Sequence, residues 1–463
     1  MTGPRDQAPR TGGQAGKAAA PGASGHAGNW VERIGIPRHL FWGFVAVLIF
    51  MVGDGVEVTY LTRFLTLPSG GGMSGSEAGF ATVTVYGVAV LVASWFSGTL
   101  PAIWGPRVVM WLGAAWWVVF EVLFLFVAIP THSAVVIFVI YGLRGFAYPL
   151  FAFSFLVWAQ VTSRESMRGS VAGWFWFAFT GGLPTLGSGI AALAIGPLGL
   201  SLYGTLVLSL VLVAIGGAVG SFCVRDPSGT QPIADETVAH PRSLRRLMEG
   251  VDILWRDKRT LAGGLVRIVN TAPEYGFFAM FPFALGPSAP GGGFLSTSQV
   301  AALAAIAYGA NIAANLFFGI FGDRFGWRRT VTWFGCVGCA VATPLWYFAS
   351  VGTRSFGVTA LFGVIYGILL AGFVPLSALM PSMVPLKDKG ASLAILNLGA
   401  GGAAFLGPSV VTLFYPLGGG ATVAIVFCVM YLIVAVLSVF LKDISDPGER
   451  ETERPRKLVA QAR

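Results

Sequence analysis

The chain has 463 residues, of which 55% are hydrophobic and only 11% charged, against about 25% charged in an ordinary soluble domain. That composition excludes a water-soluble globular protein. The formal net charge of +9 is unevenly placed along the chain and comes without any aromatic–basic recognition module, so it is a topological signal and not a sign of nucleic-acid binding.

Residues 1–29 are rich in Gly, Ala, Pro and Gln and have no apolar core region. They are expected to be a disordered tail that neither folds nor serves as a cleaved signal peptide. Twelve apolar stretches follow, each near the length needed to cross a hydrocarbon layer about 30 Å thick: 40–64, 76–100, 107–129, 134–158, 169–194, 198–223, 261–285, 297–321, 329–350, 356–382, 390–414 and 419–441. Six precede the polar stretch 225–260 and six follow it. The expected architecture is an all-α membrane protein with two six-helix halves, 30–224 and 261–441, a central loop at 225–260 and a polar tail at 442–463. All but four of the 30 Lys and Arg lie in the tails, the central loop or the loops near 107, 164–168, 324–329 and 387–389. Arg63 and Arg354 fall on the opposite side, and Arg144 and Arg267 inside spans. Positive charge marks the cytoplasmic side, so both termini and the central loop are expected there.

The two halves repeat one another at an offset near 221. Gly70-Gly71-Gly72 returns as Gly291-Gly292-Gly293, and the capping box Ser74-x-x-Glu77 as Ser296-x-x-Gln299. Gly98–Arg107 returns as Gly319–Arg328, and Arg168-Gly169-Ser170 as Lys389-Gly390-Ala391. A repeat this long signals a duplicated six-span unit of the kind found in carriers. No Gly-x-x-x-x-Gly-Lys-Ser/Thr occurs, so energy would come from an ion gradient and not from a nucleotide bound by this chain. Cys336-x-x-Cys339 has metal-like spacing, but no His accompanies it; helix packing is the expected role, and neither a metal nor an organic cofactor is expected.

Charges inside the spans are few: Asp54, Glu57, Glu121, Arg144, Arg267 and Glu274. Each is costly in lipid and therefore a functional candidate. Asp54 and Glu57 share one helix face, as do Arg267, Asn270 and Glu274. Four carboxyls against two guanidiniums leave acids over, and Asp54, Glu57 and Glu274 are expected to carry the coupling proton. Glu121 sits alone among aromatics and could instead brace a neighbouring helix. Tyr148, Trp174, Trp176, Asn311, Asn315 and Asn397 add amides and rings, which suit an uncharged polyhydroxylated molecule. Asparagine can equally be interhelical glue.

The loop Gly319–Arg329 reads Gly-x-x-Gly-Asp-Arg-x-Gly-x-Arg-Arg and resembles the signature between the second and third helices of each half in the major facilitator superfamily. The first copy departs from it, with Ala102 and Ile103 at the acidic and basic positions. Gly35-Ile36-Pro37-Arg38-His39-Leu40, Gly53-Asp54-Gly55-Val56-Glu57, Tyr141–Phe151, Gly173-Trp174-Phe175-Trp176-Phe177 and Pro273-Glu274-Tyr275-Gly276 are similar to bacterial polyol permeases. That resemblance implies proton-coupled import, by a monomer in the lipid bilayer, of a small neutral sugar alcohol such as ribitol or D-arabinitol. The cargo is expected against Arg144, Tyr148, Trp174, Trp176, Asn270, Tyr275, Asn311, Asn315 and Asn397, with Arg144 and Arg267 occupied by carboxylates. Asp323, Arg324 and Arg328 are expected to latch the cytoplasmic side. An exporter of drugs or metabolites is the alternative, hinted at by Gly407-Pro408, and a membrane receptor is a further one.

Overall fold

The computed structural model describes residues 30–442 except 59, 225, 233–252, 287–288, 290–292 and 386–387. The tail at 1–29, most of the central loop, the tail beyond 442, and Gly291 and Gly292 of the repeat lie outside the described residues. Everything regular among the described residues is helical. The first half contains α1 (Arg38–Thr66), α2 (Glu77–Trp104), α3 (Pro106–Thr131), α4 (Ala134–Thr162), α5 (Glu165–Ile195) and α6 (Leu202–Phe222). The second contains α7 (Lys258–Ala284), α8 (Thr297–Phe325), α9 (Trp327–Thr353) and α10 (Phe356–Ser382). The last 50-residue helical run, Lys389–Ser438, breaks at Gly418 and Gly419 into α11 before the break and α12 after it. Gly419 has φ 65° and ψ −157°, a backbone state open essentially to glycine alone.

Ten helical runs, Lys389–Ser438 counted once, are long and apolar enough to cross a membrane. The helix α7 is not one of them because it carries Lys258, Arg259, Arg267, Asn270 and Glu274 in a single 27-residue length. Both expected capping boxes form: Ser74 N donates to Glu77 Oε2 at 2.8 Å, and Ser296 N to Gln299 Oε1 at 2.9 Å.

Up-and-down alternation puts Arg107, Arg164, Arg168, Arg324, Arg328, Arg329 and Lys389 at one end of the molecule, which we call the basic face. The halves meet there along two crossings, α5 on α8 and α2 on α11. Both crossings are made of glycines related by the 221-residue offset. A Cβ on Gly319 would lie 2.7 Å from the Gly169 carbonyl, and one on Gly390 2.6 Å from the Gly98 carbonyl; Gly173, beside the first pair, would put a Cβ 2.7 Å from the Asn315 carbonyl. Small residues let backbones touch where lipid offers no hydrophobic drive for helices to associate.

Candidate functional site

At 1.5 Å of rise per residue, Asp54 and Glu57 lie about 20 and 24 Å from the basic end of the α1 helical core, and Glu121 about 22 Å along α3. The three acids therefore share one level, beyond mid-membrane as seen from the basic face. They converge on a single cation. Arg144 of α4 is enclosed; its Nη1 donates to Glu57 Oε2 at 2.8 Å and to Glu121, and its Nη2 donates to Glu57 Oε1. Asp54 Oδ1 is 4.0 Å from Nη2 and accepts from Trp117 Nε1 at 2.7 Å. The guanidinium lies 4.6 Å from the Tyr141 ring and 4.8 Å from the Trp117 ring. Asp54, Glu57, Glu121 and Arg144 are all buried.

Fully desolvated charges persist only when paired and hydrogen-bonded, and this cluster supplies those partners with two more acids than bases. Arg144, expected against the cargo, is engaged by the carboxylates and closed off by rings. Glu121 joins Asp54 and Glu57 in the cluster. Its signal in the sequence was its charge within a span, with Trp117 one helical turn before it on the same face. Glu121 Oε1 has no partner among the described residues.

The second half carries its acid at the same level, about 24 Å along α7. Glu274 is half-buried, has the half-buried Tyr308 of α8 near it, and lies beside the more exposed Tyr275. Tyr148 and Tyr86, both half-buried on the first half, complete a set of phenols around the gap between the halves. Tyr86 stacks on Tyr141 with centroids 4.9 Å apart, and the Tyr148 ring lies 5.9 Å from that of Phe179.

Closer to the basic face, about 8–18 Å along the helices, the halves are stitched together by side chains. Trp176 Nε1 donates to Ser377 Oγ at 2.9 Å, Asn315 Nδ2 to Thr180 Oγ1 at 3.2 Å, and Asn397 Nδ2 to Ser97 Oγ at 3.4 Å. Trp176, Asn315 and Asn397, expected at the cargo, thus form part of a seal beneath the gap. Asn311 and Asn270 bond within the second half, to the Gly367 and Gly335 carbonyls, as interhelical glue would. Trp174 donates to the Ile34 carbonyl at 2.7 Å, away from the gap. Ser97, Thr180 and Ser377 carried no sequence signal, because single hydroxyls are common in apolar helices.

At the basic end itself, Asp323 crosses from α8 to α5. Its Oδ1 accepts from Gly169 N at 2.7 Å, and its Oδ2 from Ser170 N at 2.8 Å and Ser170 Oγ at 2.7 Å; Trp327 Nε1 donates to Oδ1 at 2.9 Å. An ionised carboxylate on the free amides of a helix start is a favourable electrostatic match. The expected partners differ. Arg324 is exposed, and Arg328 Nη1 donates to the Val439 carbonyl at 3.2 Å within the second half. At the other crossing Ala102 stands opposite Gly390, with its Cβ 3.8 Å from where a Gly390 Cβ would be.

Arg267 is the one buried charge whose surroundings depart from the sequence expectation of a carboxylate partner. Among the described residues no carboxylate lies within 4.0 Å of it. Its guanidinium sits 4.0 Å from the Phe373 ring and 4.6 Å from the Trp176 ring, and Nη1 donates to Thr271 Oγ1 at 2.9 Å.

Residues 263–462 match the Major Facilitator Superfamily. The chain is 38% identical over 416 residues to the alpha-ketoglutarate permease of Bacillus subtilis (strain 168), covering 89% of this chain and 92% of that protein. It is 33% identical over 416 residues to the D-arabinitol transporter of Klebsiella pneumoniae, covering 90% and 95%. In three dimensions it is similar to the proton:xylose symporter XylE, with a TM-score of 0.68 at 14% identity over 88% of this chain and 96% of that one. The all-helical, two-halved fold expected from the repeat is the fold of these carriers, which are transporters and not enzymes. The chain belongs to the polyol permease family of the major facilitator superfamily.

Proposed function

We propose that this carrier imports a small neutral sugar alcohol, a pentitol such as ribitol or D-arabinitol, together with protons. The observation that carries the proposal is the convergence of three carboxylates on the single guanidinium of Arg144. One arginine balances one acid, so the cluster has room to load and release protons without losing its counter-ion. Loading a proton lowers the net charge that must be enclosed when the halves close over the cargo. Neutral cargo is supported by the groups left half-exposed around the gap, which are the phenols of Tyr86, Tyr148, Tyr275 and Tyr308 and the Glu274 carboxyl, whereas Arg267 below them is buried. The D-arabinitol transporter among the relatives supports the same class.

By the distribution of Lys and Arg, the basic face is cytoplasmic. Its hydrogen-bonded seal then corresponds to a carrier closed to the cytoplasm, working as a monomer in a bacterial cytoplasmic membrane. The test is uptake of labelled ribitol and D-arabinitol into proteoliposomes with an inward proton gradient. Accumulation above equilibrium that collapses with a protonophore is expected. Efflux-only movement, or accumulation that persists without the gradient, refutes the proposal.

A further inference from the structure

Arg267 lies about 14 Å along α7, between the phenol-lined gap above and the Trp176–Ser377 seal below, and it is 2% exposed. A guanidinium buried this deeply normally has an acid on it, because desolvation without a counter-ion is costly. Glu274 acts on it only at a distance; seven residues further along α7, it is about 10 Å away along the axis. Two aromatic rings compensate in part. Nη1 is held by Thr271, whereas Nε has no hydrogen-bond partner and Nη2 makes no hydrogen bond among the described residues. Nε and Nη2 form one edge of the guanidinium, the edge that fits the two oxygens of a carboxylate side-on.

We propose that Arg267 is an anion subsite at the floor of the cargo cavity, taking one carboxylate through Nε and Nη2. The carrier then accepts hydroxy- and oxo-acids in addition to neutral polyols: the acid end lies on Arg267 and the hydroxylated end among Tyr148, Tyr275 and Glu274. The subsite rests on the transporter reading but not on which polyol is carried. It also explains why an uncompensated arginine is tolerated here. In the empty carrier the charge waits on two rings, and bound acid completes it.

The test is binding to the purified full-length carrier in nanodiscs, with ribonate, 2-oxoglutarate, ribitol and chloride as separate probes, followed by competition in proteoliposomes. Ribonate or 2-oxoglutarate should bind the unaltered protein, and Arg267→Gln should weaken that acid by at least about tenfold relative to ribitol. Arg267→Lys should recover part of the loss, since it restores the charge without the fork. Thr271→Val, which frees Nη1 but keeps the cation, should weaken the acids several-fold and serves if Arg267→Gln does not fold. No acid binding to a folded protein, or equal acid affinity in Arg267→Gln, overturns the subsite. Chloride displacing the acids at equal concentration overturns the carboxylate assignment. Failure of ribitol alone to bind or cross, with acids still bound through Arg267, overturns the neutral-cargo proposal and leaves the subsite standing.

Discussion

The Asp323 contact allows a worked prediction about which way the empty carrier rests. Asp323→Asn keeps the size of the side chain but removes its charge and turns one acceptor into an NH2 donor. Three of the four hydrogen bonds that Asp323 accepts cross between the halves, and two of these come from the free amides of Gly169 and Ser170 at the start of α5. The asparagine can keep one acceptor, so at least one bond to an ionised oxygen is lost and its amide faces a donor. Bonds to charged groups contribute about 1.5–3 kcal/mol each, so a loss of about 3 kcal/mol is expected, roughly a 150-fold shift in the ratio of closed to open basic face. A carrier resting near 100:1 closed would fall to near parity. Spin labels at Ser166 and Arg329, exposed on the basic face of opposite halves, would read this as a second, longer distance population in nanodiscs. A well-folded Asp323→Asn protein whose distance distribution overlays the parent's refutes the latch. Ala102→Asp tests the same physics at the other crossing: the new carboxylate would face Gly390 at the start of α11, and the longer distance population should shrink.

Other perturbations probe the acids and the seal. Glu57→Gln leaves a neutral hydrogen-bonding side chain on Arg144, so concentrative uptake should fall at least tenfold while polyol exchange survives; unchanged accumulation against a gradient removes Glu57 from coupling. Glu121→Ala takes one hydrogen-bond acceptor from Arg144, which keeps Glu57, and should cost about 1–3 kcal/mol, seen as a lower denaturation temperature in detergent, whereas Glu121→Gln should stay near the parent's stability and lose coupling; unchanged coupling in Glu121→Gln contradicts a coupling role. Gly173→Leu forces a side chain into the Asn315 carbonyl and should open the basic face, read as faster alkylation of a cysteine placed at Ala394; slow alkylation equal to the parent's would show that the crossing is not tight. Trp117→Phe removes the hydrogen bond to Asp54 and should lower denaturation temperature without abolishing binding, which calorimetry checks.

Much of the fold was legible in the chain. The 221-residue offset revealed the duplication and paired Gly98 with Gly319 and Gly169 with Gly390; that these equivalent residues touch partners of the other half is a finding of the structure. The capping boxes and the loss of the acid at Ala102 were equally readable, because they are local. What could not be read was which helix face meets which neighbour at a given depth. Asn315 and Asn397 looked like cargo ligands because amides suit hydroxyls; their bonds to Thr180 and Ser97 depend on partners about 135 and 300 residues away. Glu121 looked solitary because its neighbours in sequence are aromatic, yet two of the rings at its level, Trp117 and Tyr141, surround the arginine it binds. Counting acids against arginines gave the right excess but not its distribution. Among the described residues inside the spans, the ion pairs fall on Arg144, and Arg267 has none.

That uneven distribution bears on how protons and movement can be joined. The three-acid cluster sits on α1, α3 and α4 of one half, packed so closely that Gly55, between Asp54 and Glu57, has no room for a Cβ against the Leu183 carbonyl. Leu183 lies in the wide turn of α5 at Gly181–Gly187, around Pro184, where the helix has already given up regular hydrogen bonding. The same α5 carries Thr180 and Trp176 of the seal and the Gly169–Ser170 end that Asp323 holds. A change in charge at Asp54 or Glu57 that shifts α1 by a few tenths of an ångström therefore has a stiff backbone contact through which to act on the helix that closes the basic face. Among the described residues the second half has no such cluster. Its Glu274 and Arg267 stand seven residues apart on α7, about 10 Å along the axis, and under the proposed symport they are the groups placed to meet the cargo. Under that proposal the first half would read the proton and the second the cargo, and α5, which touches α1 and carries the seal, is the element through which the two would be combined.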